Sequence, residues 1–330
     1  MRALVCTEIG SFDSIVPGEL PKPEPGEGQL IVDVRFAAAN FADLLVIQDL
    51  YQFRSEPPFA PGLEAVGTVA ELGPGVEGFA VGDRVAGVGY SGAMAEQWCV
   101  DASNVIPVPQ DIAWDTAAAM TIAYGTSYHA LKQRASLKPG ETMLVLGGAG
   151  GVGSAAIDIG SAMGATVISA VSTDEKAAFC ADLGAAHTIN YASGDLRAHV
   201  KALVGTRGVD VVYDPVGGSL SESAFRSLSW GGRHLVVGFA SGEIPSLPLN
   251  LPLLKGSSLV GVFWGAFTAH APEENRSNAS EMFAMVRTGS ISPVVSATLD
   301  LADARRGLEM LVSREVMGRV LVRVTDGQAT

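Results

Sequence analysis

Thr142-Met143-Leu144-Val145-Leu146-Gly147-Gly148-Ala149-Gly150-Gly151-Val152-Gly153-Ser154 is the stretch on which the fold turns. Its first five residues form an uncharged run with the length of a buried strand. Glycines follow at 148, 150 and 153, the segment Val152–Met163 reads as a helix, and Thr166–Ala170 reads as a second strand. In such a βαβ unit the glycines let the backbone approach a pyrophosphate, and the helix N-terminus faces its negative charge. Gly148, Gly150, Gly151 and Val152 are therefore candidate contacts for a dinucleotide.

The same GxGxxG spacing occurs at Gly73, Gly75, Gly78 and at Gly87, Gly89, Gly92. The first is followed by Phe79-Ala80-Val81-Gly82-Asp83, too short and broken for a helix. The second leads into Ala93–Val100, which has the residue types of a strand. Both read as β-turns, so context and not the bare pattern selects the loop at 148.

Beyond that loop the strand–helix alternation continues. Glu175–Leu183 reads as helix, Thr188–Asn190 as strand, Leu196–Val204 as helix and Val209–Tyr213 as an apolar strand. Leu220–Leu228, His234–Val237 and Ser258–Val262 extend the series. Continuous apolar strands in this order predict a doubly wound parallel sheet covered on both faces. From Met1 to about Ala119 the texture differs: Gln29–Phe36 alternates, with Leu30, Val32, Val34 and Phe36 on one face. Ala65–Leu72, Arg84–Gly87 and Ala95–Val100 are further short runs between Gly, Pro and Asp. That predicts a barrel-like β domain. After Gly265 a polar stretch, Ala271–Ser280, precedes one amphipathic helix and the strand Arg319–Val324. A lone helix and strand cannot form a domain, so the tail is expected to return to the first one. The expected division is 1–121, 122–265 and 266–330.

Composition sets the outer limits. The 330 residues carry 22 basic and 35 acidic side chains, a net charge of −13 that repels nucleic-acid phosphates. Apolar residues at 48% and charged ones at 17% exclude a disordered chain. Mean hydropathy is +0.28, yet the uncharged candidate run Thr142–Ile157 is short for a span and interrupted by glycines. No apolar h-region follows Met1-Arg2, so a cytoplasmic enzyme without membrane partners is expected. Cys6, Cys99 and Cys180 are far apart and read as small buried hydrophobes, and the five histidines show no metal spacing.

The cofactor can be read about 20 residues beyond the loop, where a carboxylate ordinarily holds the ribose 2′-OH of NAD. Here the strand ends Val171-Ser172-Thr173, followed by Asp174-Glu175-Lys176. Two hydroxyls and a lysine suit a 2′-phosphate, so Ser172, Thr173 and Lys176 predict NADPH over NADH. Asp174 and Glu175 could face the same side. Tyr191 could lie along the adenine or bond the same phosphate. Asp214 is either a cap for the following helix or a wall of the cofactor cleft, and His129 reads as a packed histidine.

At this point the motifs resemble a family. Ala39-Asn40-Phe41-Ala42-Asp43-Leu44, Pro61-Gly62-Leu63-Glu64-Ala65-Val66-Gly67, Val81-Gly82-Asp83-Arg84-Val85, Tyr124-Gly125-Thr126 and Val209-Asp210-Val211-Val212-Tyr213-Asp214 join the glycine loop in order along the chain. The sequence resembles the medium-chain dehydrogenase/reductase superfamily, in its zinc-free quinone oxidoreductase branch, the relatives of zeta-crystallin. The resemblance implies an α/β protein: a GroES-like β-barrel catalytic domain closed by the C-terminal segment, plus a Rossmann doubly wound parallel sheet. Zinc-dependent relatives carry Cys where Asn40 stands and His where Leu63 stands, so loss of the catalytic metal is implied.

What remains is hydride delivery from NADPH to an electron-poor acceptor, a quinone or an activated alkene. The resemblance places Asn40 and Thr126 near the nicotinamide, with Gly238, Phe239 and Phe263 on its other sides. On sequence alone Asn40 is equally a turn former, Thr126 a helix N-cap, and the two phenylalanines core residues. Tyr51 resembles the proton donor of related enoyl-thioester reductases, or is an aromatic wall of the pocket. Reduction of quinones is the first expectation and reduction of enones or enoyl thioesters the second. A non-catalytic NADPH-binding protein is the reading from another class. The strand Ser258–Val262 is expected at a sheet edge, which implies a homodimer through it.

Overall fold

The computed structural model describes residues 1–325. The chain forms two compact units. One comprises Met1–Ile122, Thr268–Phe283 and the chain from Pro293; the other comprises Ala123–Phe267 and Ala284–Ser292.

In the first unit β1 (Arg2–Cys6) and β2 (Ile15–Glu19) form an antiparallel ribbon. Then come β3 (Gln29–Ala39), α1 (Phe41–Ile47), β4 (Glu64–Leu72), β5 (Arg84–Val88), β6 (Gln97–Asp101) and β7 (Val105–Pro107). β3 pairs antiparallel with both β4 and β6, β4 with β5, and β5 with β7. Leu30, Val32 and Val34 enter the core as their alternation predicts, but Phe36 is only half-buried. A register shift between Val34 and Phe36 reverses the inward face, and Ala37 and Ala39 take over. The second decoy, Gly87, Gly89 and Gly92, makes room for one ring: a Cβ on Gly89 or Gly92 would stand 2.7 Å from Trp98. The helix α2 (Trp114–His129) runs unbroken through residue 121, where the change of texture suggested a boundary.

The second unit is built on β8 (Thr142–Leu146), α3 (Gly151–Ala162), β9 (Thr166–Val171), α4 (Asp174–Asp182), β10 (His187–Asn190), α5 (Leu196–Val204), β11 (Val209–Asp214), α6 (Ser219–Arg226), β12 (Leu228–Val236), α7 (Asn250–Lys255) and β13 (Ser258–Gly261). Its six strands lie in the order β10-β9-β8-β11-β12-β13, every pair parallel. Numbered from β8, that order is 3-2-1-4-5-6, the doubly wound arrangement, whose switch point falls between β8 and β11. Loops leaving the carboxyl ends of those two strands are where such sheets bind ligands.

Two helices follow, α8 (Trp264–His270) and α9 (Pro272–Arg287), and the expected polar stretch Ala271–Ser280 is helical within α9 from Pro272 onward. The chain then forms β14 (Val295–Asp300), α10 (Ala304–Val312) and β15 (Arg319–Arg323). β15 pairs parallel with β14 and antiparallel with β3, so the C-terminal segment completes the seven-stranded sheet of the first unit. The strand β14 was not anticipated; its six residues alternate between half-buried and exposed and lack an apolar run.

Candidate active site

The glycines after β8 have different duties. A Cβ on Gly148 would overlap Ser169 Oγ and come within 2.9 Å of Ile157 Cδ1. A Cβ on Gly153 would run into the Gly147 carbonyl, with Gly148 Cα at 2.9 Å. Both are required for α3 to pack against the sheet. Gly150 differs, since only the Gly147 oxygen lies near its missing side chain, at 3.4 Å. Its φ of −76° is open to any residue, so neither packing nor backbone conformation demands glycine there. The first bond of the helix runs from the Ser154 N–H to the Gly150 oxygen, leaving the Gly151 and Val152 N–H groups as donors at the helix head. An open position beside forward-facing donors fits a pyrophosphate.

At the end of β9, Ser172 is half-buried and Thr173 caps α4, its Oγ accepting from the Lys176 N–H at 3.2 Å. Asp174 is tied to the next strand, because Asn190 Nδ2 donates to its Oδ1 at 2.8 Å. Asn190 Oδ1 in turn accepts from the Ala192 N–H, shaping the turn that Tyr191 opens. Tyr191 packs against the core of this unit. Ser172, Thr173, Lys176 and Tyr191 thus gather at the carboxyl ends of β9 and β10.

After β11, Asp214 organises the loop and does not cap α6 directly. Its Oδ1 accepts from the N–H groups of Val216 and Gly217, both at 2.9 Å. Its Oδ2 takes the Ser221 hydroxyl at 2.5 Å and His234 Nε2 at 3.0 Å. Burial alone would raise this carboxyl, but the bonds and charge of His234, with Gly217 and Ser221, hold it below the usual carboxylate range. The Gly238 N–H reaches the Asp214 carbonyl at 3.3 Å, and Phe239 lies over Gly217. Phe239 and Phe263 are 36% and 52% exposed, which corrects the core reading and leaves two rings available as walls.

Thr126 lies inside α2 and is half-buried, so the N-cap reading is wrong. Its neighbour Ser127 is the more connected residue, donating to the Val152 carbonyl at 2.9 Å and lying 2.9 Å from the Tyr213 hydroxyl. Sequence reasoning missed it, because a buried serine in a helix has no local signature. His129 is packed as expected, its ring stacked on Phe267 at 4.0 Å. Cys6 and Cys180 are buried, whereas Cys99 is half-buried with its thiol 3.3 Å from Gln29 Oε1.

In the first unit Asn40 is the N-cap residue of α1 and is buried. Its backbone N–H donates to Asp43 Oδ2 at 2.7 Å. Its side-chain amide donates to the Ala38 carbonyl at 3.1 Å and to Glu64 Oε1 at 2.9 Å, while its oxygen accepts from Arg319 at 3.0 Å. The amide donors expected to meet a nicotinamide or a substrate carbonyl are therefore engaged internally, and Asn40 acts here as a positioning residue. Glu64 also pairs with the Arg319 guanidinium and accepts from the Ile122 N–H at 2.6 Å. These contacts bind together β3, α1, β4, α2 and β15. Burial pushes Glu64 up, opposed by Arg319, Asn40 and the Ile122 N–H. Burial also pushes the Asp43 carboxyl up to about 7; the Glu64 charge adds to this, while the Asn40 N–H and Arg319 oppose it.

Tyr51 follows α1, packed against the core and 6.2 Å from the Phe53 ring, which lies 3.9 Å from that of Tyr90. Burial first, then the charges of Asp43 and Tyr90, raise its phenol and keep the proton on it. Among the described residues no three His, Cys, Asp or Glu side chains cluster in a metal-binding arrangement, and no helix is long and apolar enough to cross a membrane.

Two family models match the chain: an alcohol dehydrogenase GroES-like domain over residues 26–110 and a zinc-binding dehydrogenase domain over 151–284. Quinone oxidoreductase-like protein 2 of Bos taurus is 39% identical over 97% of this chain and 92% of its own length. A 2-haloacrylate reductase from Burkholderia is 31% identical, covering 98% of both chains. A mycobacterial protein whose structure was solved complexed with NADPH superposes with a TM-score of 0.91, at 32% identity, over 98% of this chain and 100% of that one. The chain belongs to the medium-chain dehydrogenase/reductase superfamily, in its quinone oxidoreductase branch.

Proposed function

We propose that this protein is an NADPH-dependent oxidoreductase that reduces quinones without a metal. The observation that carries this reading is the open position at Gly150, set on the same sheet as the hydroxyl- and lysine-bearing end of β9. Gly150, Gly151 and Val152 would receive the pyrophosphate, and Ser172, Thr173, Lys176 and Tyr191 the 2′-phosphate. Gly238, Phe239, Phe263 and Thr126 would line the nicotinamide. Bound there, NADPH supplies a hydride. Asn40 and Leu63, at the positions of two zinc ligands in the related alcohol dehydrogenases, support the metal-free reading. The GroES-like unit and the relatives named above support the same class of reaction. The edge position of β13, with Leu259 44% exposed, supports a homodimer through that strand, and the composition supports a cytoplasmic location.

A second reading, reduction of an activated alkene, is favoured by the 2-haloacrylate reductase relative and by Tyr51. Hydride addition to the β-carbon needs a proton at the α-carbon, and a phenol that keeps its proton can supply one. Tyr51→Phe removes the hydroxyl and keeps the ring. On quinones we expect the rate to fall by less than about tenfold, the loss of one ordinary hydrogen bond. On enones, haloacrylates or enoyl thioesters we expect about 10²–10⁴-fold, as for a general acid. Small, equal losses on both would leave Tyr51 as a wall. Absence of NADPH oxidation with every acceptor would remove the enzymatic reading itself.

A further inference from the structure

One cavity shares no lining residue with the candidate active site. About 230 Å³ opens between the α5 helix, the 205–208 turn and the C-terminal ends of α6 and α7 in the second unit. Arg197, Lys201, Arg226 and Lys255 line it, and no acidic side chain does. In a chain with 35 acidic and 22 basic residues, four cations around one small hollow is a reversal of the prevailing sign.

The ordinary reason for such cations is the negative end of a helix dipole. Lys201, Arg226 and Lys255 stand in the last turns of α5, α6 and α7, and that reason fits them. Lys255 Nζ donates to the carbonyls of Arg226 and Leu228 at 2.6 and 2.5 Å, and Arg226 is paired with Glu222 at 2.6 Å. The dipole does not explain Arg197, which stands in the first turn of α5, at the positive end. Nor does it explain why Arg197 and Lys201 sit four residues apart on one helix face, a like-charge spacing that destabilises a helix. Among the described residues neither side chain has an acidic partner. Repulsion is felt in the hollow: after burial, the charges of Arg197 and Arg226 lower the Lys255 amine from its usual value.

We infer that this hollow is a binding site for a compact phosphate-bearing anion carrying two or more negative charges. Its volume is below the range of about 300–1,000 Å³ that holds drug-sized ligands, so a pyrophosphate-sized group fits and a whole dinucleotide does not. Arg197 and Lys201, both exposed, would supply the charge-assisted contacts, and Thr206 is a further polar residue of the lining. Lys255, fixed by its two carbonyl partners, would form the floor of positive potential.

The test uses inorganic pyrophosphate, titrated calorimetrically into protein saturated with NADPH so that the nucleotide site is already filled. Saturable binding is expected, weakened at least about tenfold in the double variant Arg197→Ala, Lys201→Ala, with NADPH affinity unchanged. A parallel titration with ADP distinguishes the source of the phosphates: tighter pyrophosphate points to a free polyphosphate, tighter ADP to a nucleotide's phosphates. No saturable binding at millimolar pyrophosphate, or equal binding by the double variant, would overturn the site.

Discussion

The loop at the head of α3 and the Asn40–Asp43–Glu64–Arg319 cluster both concentrate polar groups, and they use them in opposite ways. The loop has no charged side chain. Of its three motif glycines two are filled in by packing, the third has only one neighbouring oxygen in ordinary contact, and its donors are backbone N–H groups at the helix head. The cluster is buried and its groups are turned on one another, Asn40 donating to Glu64 and Arg319 bonding both. The contrast teaches where binding capacity resides. A site recognises a ligand through donors that folding has left unengaged, and the cluster, in which Asn40 alone stands at a position where the resemblance locates a zinc ligand, has engaged nearly all of its own.

The largest effect expected from breaking this contrast lies in the cluster. Arg319→Met leaves Glu64 buried without its guanidinium, which costs about 3–5 kcal/mol in urea unfolding. The double variant Glu64→Gln, Arg319→Met should recover most of it. A single-variant loss under about 1 kcal/mol would show that the pair is not the keystone of the first unit.

Next comes pH. Asp43 rises from 3.8 to about 7 on folding, so between those values the folded state holds a proton that the unfolded chain releases. Its contribution to stability is fully present below about pH 4 and lost as pH rises through about 7, with an upper limit of about 4 kcal/mol at 1.4 per unit. Asp43→Asn should flatten that fall in a series of unfolding curves; an unchanged slope would assign it to other groups.

The smaller effects lie in the loop. Gly153→Ala pushes a methyl into the Gly147 carbonyl and should destabilise by about 1–3 kcal/mol. Gly150→Ala should leave stability within about 0.5 kcal/mol and weaken NADPH binding by about tenfold, because the space it fills is the ligand's. If thermal unfolding and cofactor titration show the two variants alike, Gly150 is a packing residue too.

The same contrast explains what could be read in advance. The glycine loop and β8 to β13 are local patterns, each declared within a dozen residues by apolar runs and turn residues, so their order was legible. The cluster is not local: Glu64 and Arg319 are separated by 255 positions, and nothing near either names the other. Asn40 was visible as a motif position, yet its role depends on partners brought from β4 and β15. Likewise β14 and the helix over Ala271–Ser280 are stabilised by tertiary packing of sparse apolar residues, which leaves little trace in periodicity. Phe239 and Phe263 misled for the converse reason, since an aromatic residue has one composition whether it fills a core or waits for a ligand.

The most direct measurement is the affinity of NADPH and NADH for the wild type and for Lys176→Ala, by fluorescence titration. The wild type should bind NADPH more tightly. The variant should lose about 10- to 150-fold for NADPH, the value of one hydrogen bond to a charged group, and bind NADH unchanged. Equal affinity of the wild type for both cofactors, or equal losses in the variant, would contradict an NADPH site at the ends of β9 and β10.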